Sequence, residues 1–246
     1  MHFAPVDGCR IGMLTPSSNT VLEPYTSAML APYGDAASAH FGRFRVVEIS
    51  MSDASQSQFT LEPILEAADR LAEANPHVIA WNGTSASWLG LDKDRALCAA
   101  ITERTGVPAT STMLAYEALF KAMKVTRLGL VTPYIEDIET RMIANYAAQG
   151  IEVVRAARLD DKGNYSFAAY PPEQVAAMIE EVAQARPDAI AVVCTNFRGA
   201  PVAARIEAQT GIPVIDSVAL TAAACLRRAG LDPARVTGWG SVFSRV

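Results

Sequence analysis

The sequence predicts an α/β protein of two pseudo-twofold-related halves. Each is expected to be a parallel sheet flanked by helices, with the functional site in the cleft between them. Three observations lead there. The run PDAIAVVCTNFRG at 187–199 is apolar and partly β-branched until it stops at Cys194, Thr195 and Asn196, and PHVIAWNGTSAS at 76–87 has the same form. Runs that are apolar on both faces and end in small polar residues are how buried parallel strands arrive at a site. Strand-like and helix-like segments alternate, which implies parallel sheets joined by right-handed crossovers. Finally, landmarks recur in order: RLGLVT at 127–132 repeats RIGMLT at 10–15, the 187 run repeats the 76 run, and TGIPV at 210–214 repeats TGVPA at 105–109. Their offsets are 117, 111 and 105 residues. Three ordered matches with a slow drift define an internal repeat. The halves are set at 1–118 and 119–216, with 217–246 a candidate to dock on the first.

The elements follow in chain order. Residues 10–15 read as the first strand, ending in Pro16-Ser17-Ser18-Asn19. A helix over 21–30 opens there, with Pro24 in its first turn, where proline is tolerated. Residues 44–50 read as the second strand. A helix starting at 60–63 carries Ile64, Leu65, Ala68 and Leu71 at helical spacing. The strand at 77–81 ends at Gly83-Thr84-Ser85. A helix over 92–105 stops at Gly106, and 107–110 form a short strand before a helix over 113–123. In the second half, 127–132 and the 187 run are strands, and the strand at 210–214 leads into a helix over 217–229.

Composition narrows the function classes. Half the residues are apolar and the net charge is −5, with no block of Lys or Arg. Phosphate backbones need concentrated basic patches, so nucleic acid is not an expected partner. The N-terminus lacks the charged and apolar pattern of a signal peptide, and no apolar run reaches membrane-spanning length. Cys9, Cys98, Cys194 and Cys225 lie far apart without a CxxC pair. That disfavours disulfides and a cysteine-based metal site, and fits a reducing, cytoplasmic setting with no membrane partner.

Aligning Pro76 with Pro187 sets Gly83 over Cys194 and Thr84 over Thr195. One strand end carries a thiol and its counterpart carries glycine. A pocket flanked by these ends would gather Pro16, Ser17 and Asn19 from the first loop, Gly83 to Ser85, Tyr134 after the fifth strand, and Cys194, Thr195 and Asn196.

With these residues on the page, the chain resembles the aspartate/glutamate racemase superfamily. NGTSASWLG (82–90), TPYIEDIETR (132–141) and TGWGSVF (237–243) are similar to the arylmalonate decarboxylase branch. TPSSNT (15–20) and CTNFRG (194–199) are more similar to the maleate cis-trans isomerases. The superfamily's racemases use two cysteines on opposite faces of a carbon acid, and the isomerases also have two. The resemblance therefore makes the Gly83/Cys194 pair a decarboxylase pattern. It implies that a substituted malonate loses CO2 without a cofactor or metal, leaving an enediolate that one cysteine protonates. Thr84, Ser85 and Tyr134 would spread the charge through preorganised donors, and Cys194, near an ordinary thiol pKa of about 8.5, would hold the proton. A maleate-type isomerase is the alternative. The first loop has Ser17 and Asn19 where the decarboxylases carry paired prolines, and Asn164 resembles an isomerase substrate-binding asparagine. A carboxylate-binding protein without catalysis is the non-enzymatic alternative. In each case the partner is a small mono- or dicarboxylate, and the sequence leaves the oligomeric state open.

Each residue has an ordinary reading too. A cysteine after an apolar strand is commonly a buried small hydrophobe, and Cys9, Cys98 and Cys225 take that reading. Thr84 and Ser85 could cap the next helix, Asn19 and Asn164 could be turn residues, and Tyr134 could simply pack. His2, His40 and His77 fit no motif, and His77 precedes its strand at the far end from the pocket. Trp81 and Trp88 flank Gly83, and either could fill the space that glycine leaves.

Overall fold

A computed structural model describes residues 8–45 and 61–246. Strands β1 (Cys9–Pro16), β2 (Ala37–Phe44), β3 (Val78–Trp81) and β4 (Ala109–Ser111) form one parallel sheet in the order β2-β1-β3-β4. Strands β5 (Arg127–Thr132), β6 (Glu152–Arg158), β7 (Ala189–Val192) and β8 (Val214–Asp216) form a second, ordered β6-β5-β7-β8. The two orders are the same once the halves are superposed in number, so the internal repeat is a repeat of topology.

The repetition reaches individual hydrogen bonds. The Arg10 N–H donates to His77 Nδ1 at 3.1 Å, and the Arg127 N–H donates to Asp188 Oδ2 at 2.8 Å, at the strand ends remote from the pocket. Gly106 and Gly211 both close a helix at φ +72°, a left-handed cap that glycine adopts without a Cβ penalty. The threonine before each glycine donates back into its helix, Thr105 to Ile101 O and Thr210 to Ile206 O.

Helices cover both sheets: α1 (Leu22–Leu30), α2 (Leu61–Ala72), α3 (Ala86–Leu89), α4 (Leu91–Thr105), α5 (Thr112–Met123), α6 (Glu136–Ala148), α7 (Pro172–Ala183), α8 (Ala200–Thr210) and α9 (Ser217–Arg228). Ile64, Leu65, Ala68 and Leu71 are buried, as their spacing predicts. In α9 every residue from Ser217 to Leu226 is buried. Its small apolar residues let it sit among α1, α5, β3 and β8, the position of a helix apolar all round. Asp216 anchors its start by accepting from the N–H groups of Val218 and Ala219.

One expected strand is corrected. The second strand ends at Phe44 rather than starting there, running Ala37–Phe44 in register with all of β1; residues 46–50 lie outside the described set. It escapes a pattern search because it is an edge strand of Ala, Ser, Gly and Arg with most positions only partly buried. Strand β6, also at an edge and largely half-exposed, gives equally little signal.

Candidate active site

Both sheets direct the carboxyl ends of their strands into one cleft. There Pro16 from β1, Gly83, Thr84 and Ser85 after β3, Tyr134 after β5, and Cys194 and Thr195 after β7 line a small pocket with Asn164, Trp81 and Trp88. Its free volume is ≈ 20 Å³, room for about one water. Among the described residues, no lining side chain is charged.

A short relay crosses the pocket. Thr84 Oγ1 and Tyr134 Oη lie 2.6 Å apart, joining the two halves, and the Tyr134 hydroxyl neighbours the Cys194 thiol. The Asn196 backbone N–H also points at Cys194 Sγ, at 3.4 Å. Burial dominates over these donors and pushes the Cys194 pKa up to about 12, so the group is a thiol at neutral pH. Burial likewise raises Tyr134 well above its ordinary value, with the neighbouring Cys194 adding to the rise. The Tyr134 ring is fixed edge-on between Trp88, at 5.2 Å, and Phe167, at 5.6 Å.

Residues expected in the site divide into two sets. Pro16, Gly83, Thr84, Ser85, Tyr134, Asn164, Cys194 and Thr195 line the pocket. Ser17, Asn19 and Asn196 stand behind it. Asn19 accepts from the Val21 and Leu22 N–H groups, opening α1, and donates to Thr195 Oγ1 at 3.1 Å. Asn196 accepts from the N–H groups of Thr20 and Val21 and donates to Asn164 O at 2.6 Å. The Ser17 carbonyl accepts from Arg43. Thr195 donates onward to Asn82 O, so its hydroxyl is engaged within the protein. Asn164 is buried and donates to Ser18 Oγ at 2.8 Å. Ser85 makes no side-chain cap on α3, and Thr84 spends its hydroxyl on Tyr134.

Trp81 resolves what glycine is for. A Cβ on Gly83 would lie 1.9 Å from Trp81 Cζ2 and 2.2 Å from Cε2. Gly83 is outside the positive-φ set, so the demand for glycine is steric rather than conformational. The indole, 1 % exposed, also leans on Phe44 with centroids 5.0 Å apart. Thus, of the two tryptophans the sequence offered to fill the space beside Gly83, it is Trp81 that fills it, and Trp88 lines the pocket as well. Strand alternation carries the signal for Trp81, since residues two apart face the same way.

Among the described residues no group of three His, Cys, Asp or Glu side chains is placed to hold a metal ion. No helix among them is long and apolar enough to cross a membrane.

Comparison with known proteins gives three relatives of note. The chain is 26% identical over 186 residues to the arylmalonate decarboxylase of Bordetella bronchiseptica, covering 74% of this chain and 78% of that one. It is 26% identical over 247 residues to the maleate isomerase of Pseudomonas putida, covering 96% and 97%. A solved structure of the Nocardia farcinica maleate cis-trans isomerase, a cysteine-to-serine variant with a covalently bound succinylcysteine intermediate, superposes with a TM-score of 0.86. It is 25% identical, with 96% of this chain and 98% of that chain covered. Kinship supports both reactions equally. The arylmalonate decarboxylase family profile matches residues 11–243, and the chain belongs to that family.

Proposed function

We propose that this member of the arylmalonate decarboxylase family is a cofactor-independent decarboxylase of a substituted malonate. The observation that carries the reading is the one-sided pocket. Cys194 holds a proton on one wall, while the pseudo-equivalent Gly83 has no room for a second thiol because the Trp81 indole occupies that place.

One substrate carboxylate would accept hydrogen bonds from Ser85 and from the Thr84–Tyr134 pair, which are held in place before substrate arrives. The other carboxylate would face the uncharged aromatic wall, where burial of its charge favours departure as CO2. As that carbon–carbon bond breaks, its electron pair enters the enediolate, whose growing charge falls on the hydroxyl donors. The Cys194 S–H then gives its proton to the carbon from a single face, and water restores the thiol. A thiol pKa of about 12 suits this step, because the acid is fully protonated when the enediolate forms.

Cis–trans isomerisation of a maleate-like dicarboxylate is the second reading. The buried, pocket-lining Asn164 favours it. It requires Cys194 as a thiolate nucleophile, which burial opposes.

Proton NMR in D2O, with phenylmalonate, methylmalonate and maleate supplied separately, tests both. Deuterium entering a monoacid from a malonate, and absent with Cys194→Ala, is the expected result. Maleate converted to fumarate with no loss of CO2 would replace it with the isomerase reading. Unchanged spectra with retained binding would leave a carboxylate-binding protein.

A further inference from the structure

Beyond the indole lies a second, solvent-open cavity of ≈ 530 Å³, lined by Leu61, Ile64, Leu89, Lys93, Asp94 and Leu97 among others. Trp81 and Ser85 line both spaces. The indole is therefore the partition between a pocket that holds about one water and a mostly apolar, solvent-open groove large enough for an aromatic ring. Three neighbours flank the partition. The six-membered ring of Trp81 fits against Gly83, its indole packs on Phe44, and the buried Asp94 carboxyl lines the far side. Asp94 is 2 % exposed, and its Oδ2 is buried without a hydrogen-bond partner among the described residues.

We infer that Trp81 is the residue that determines specificity in this site, selecting a malonate with a small alkyl substituent and excluding an aryl one. This rests on the decarboxylase reading above and narrows its substrate class. Any malonate has to widen the ≈ 20 Å³ pocket to seat its two carboxylates, and a methyl substituent adds little to that demand. A phenyl ring asks in addition for the volume the indole now fills, and the groove that would accommodate it lies on the far side. Gly83 is part of the same device, because only glycine at that position lets the indole lie across the opening.

The test compares kcat/KM for methylmalonate and phenylmalonate in the wild type, Trp81→Ala and Trp81→Leu. The leucine variant keeps apolar filling and is measured in parallel in case the alanine variant does not fold; cooperative melting identifies folded protein. The wild type should prefer methylmalonate by about 100-fold or more, the scale at which a hydrophobic pocket discriminates by size. The variants should move that ratio toward phenylmalonate by a similar factor. Equal use of both acids by the wild type, or an unmoved ratio in a folded variant, overturns the inference while leaving decarboxylation standing. If neither acid loses CO2 in any protein, decarboxylation fails instead, and calorimetric affinities for propionate and phenylacetate decide the inference. A shift toward phenylacetate in the variants supports it, and no shift overturns it.

Discussion

Replacing Gly83 with alanine tests the fit between residues 81 and 83 on stability alone, apart from any chemistry. The new Cβ would meet Trp81 at 1.9 Å, where real Cβ contacts essentially never fall below 3.0 Å. Trp81 must therefore yield, against Phe44 packed on it in a core where the indole is 1 % exposed. Overpacking of this kind costs about 1–3 kcal/mol. Trp81→Leu alone leaves a cavity and costs about 2–4 kcal/mol, somewhat below the usual Trp→Ala range. Combined, the alanine methyl enters space the indole has vacated, so the double variant should be more stable than additivity predicts by about 2 kcal/mol. Urea unfolding of the four proteins at one pH, with equal m-values, supplies the cycle. Additivity to within about 0.5 kcal/mol would refute the steric reasoning. It would mean that Gly83 is required for some other reason.

Further expectations concern protons and donors. Because Cys194 is held as a thiol up to about pH 12, iodoacetamide should label it only slowly at pH 8, and turnover should show no fall between pH 7 and 10 from loss of its proton; rapid labelling at pH 7 would contradict this. Tyr134→Phe removes the hydroxyl that pairs with Thr84 beside Cys194 and should lower kcat by about 10²-fold or more while the melting temperature changes little; an unchanged kcat removes Tyr134 from the mechanism. Burial raises Asp94 and Asp216 to about 7, so the stability each adds as a neutral acid is complete below about pH 3.9 and is lost as pH rises toward 7. Asp94→Asn should remove about half of that decline, leaving the share due to Asp216; melting temperatures from pH 4 to 8 with undiminished slope would count against it. Arg158→Ala strands Glu139, which is 5% exposed, and should cost about 2 kcal/mol in urea, discounted for the partial exposure of Arg158.

Much of this architecture is legible in the sequence because buried parallel strands must be apolar on both faces. The β1, β3, β5 and β7 runs announce themselves, and their repetition gives the pairing of halves. Edge strands obey a looser rule. Ala37 to Phe44 need fill only one partly covered face, so no run of branched residues marks it. At the site, strand ends locate Cys194, Thr84 and Tyr134, since the chain must leave a buried sheet through polar residues. What the sequence does not disclose is which polar groups are consumed internally. Asn19 and Asn196 look like ligand contacts until their oxygens are seen capping the entry to α1. Trp81 looks like core, and it is core, but its ring edge is also the pocket wall.

The repeated topology has a consequence for how a one-sided site can arise. Two identical subunits meeting across a twofold axis must present the same residue from both sides, so any change to one acid changes its mate. Joining the copies on a single polypeptide removes that constraint. Position 83 is then free to become glycine while position 194 stays cysteine, and Trp81 can take over space that a symmetric site would have to keep clear twice. Covalent fusion of the halves is what makes handedness available to a pocket built from duplicated parts.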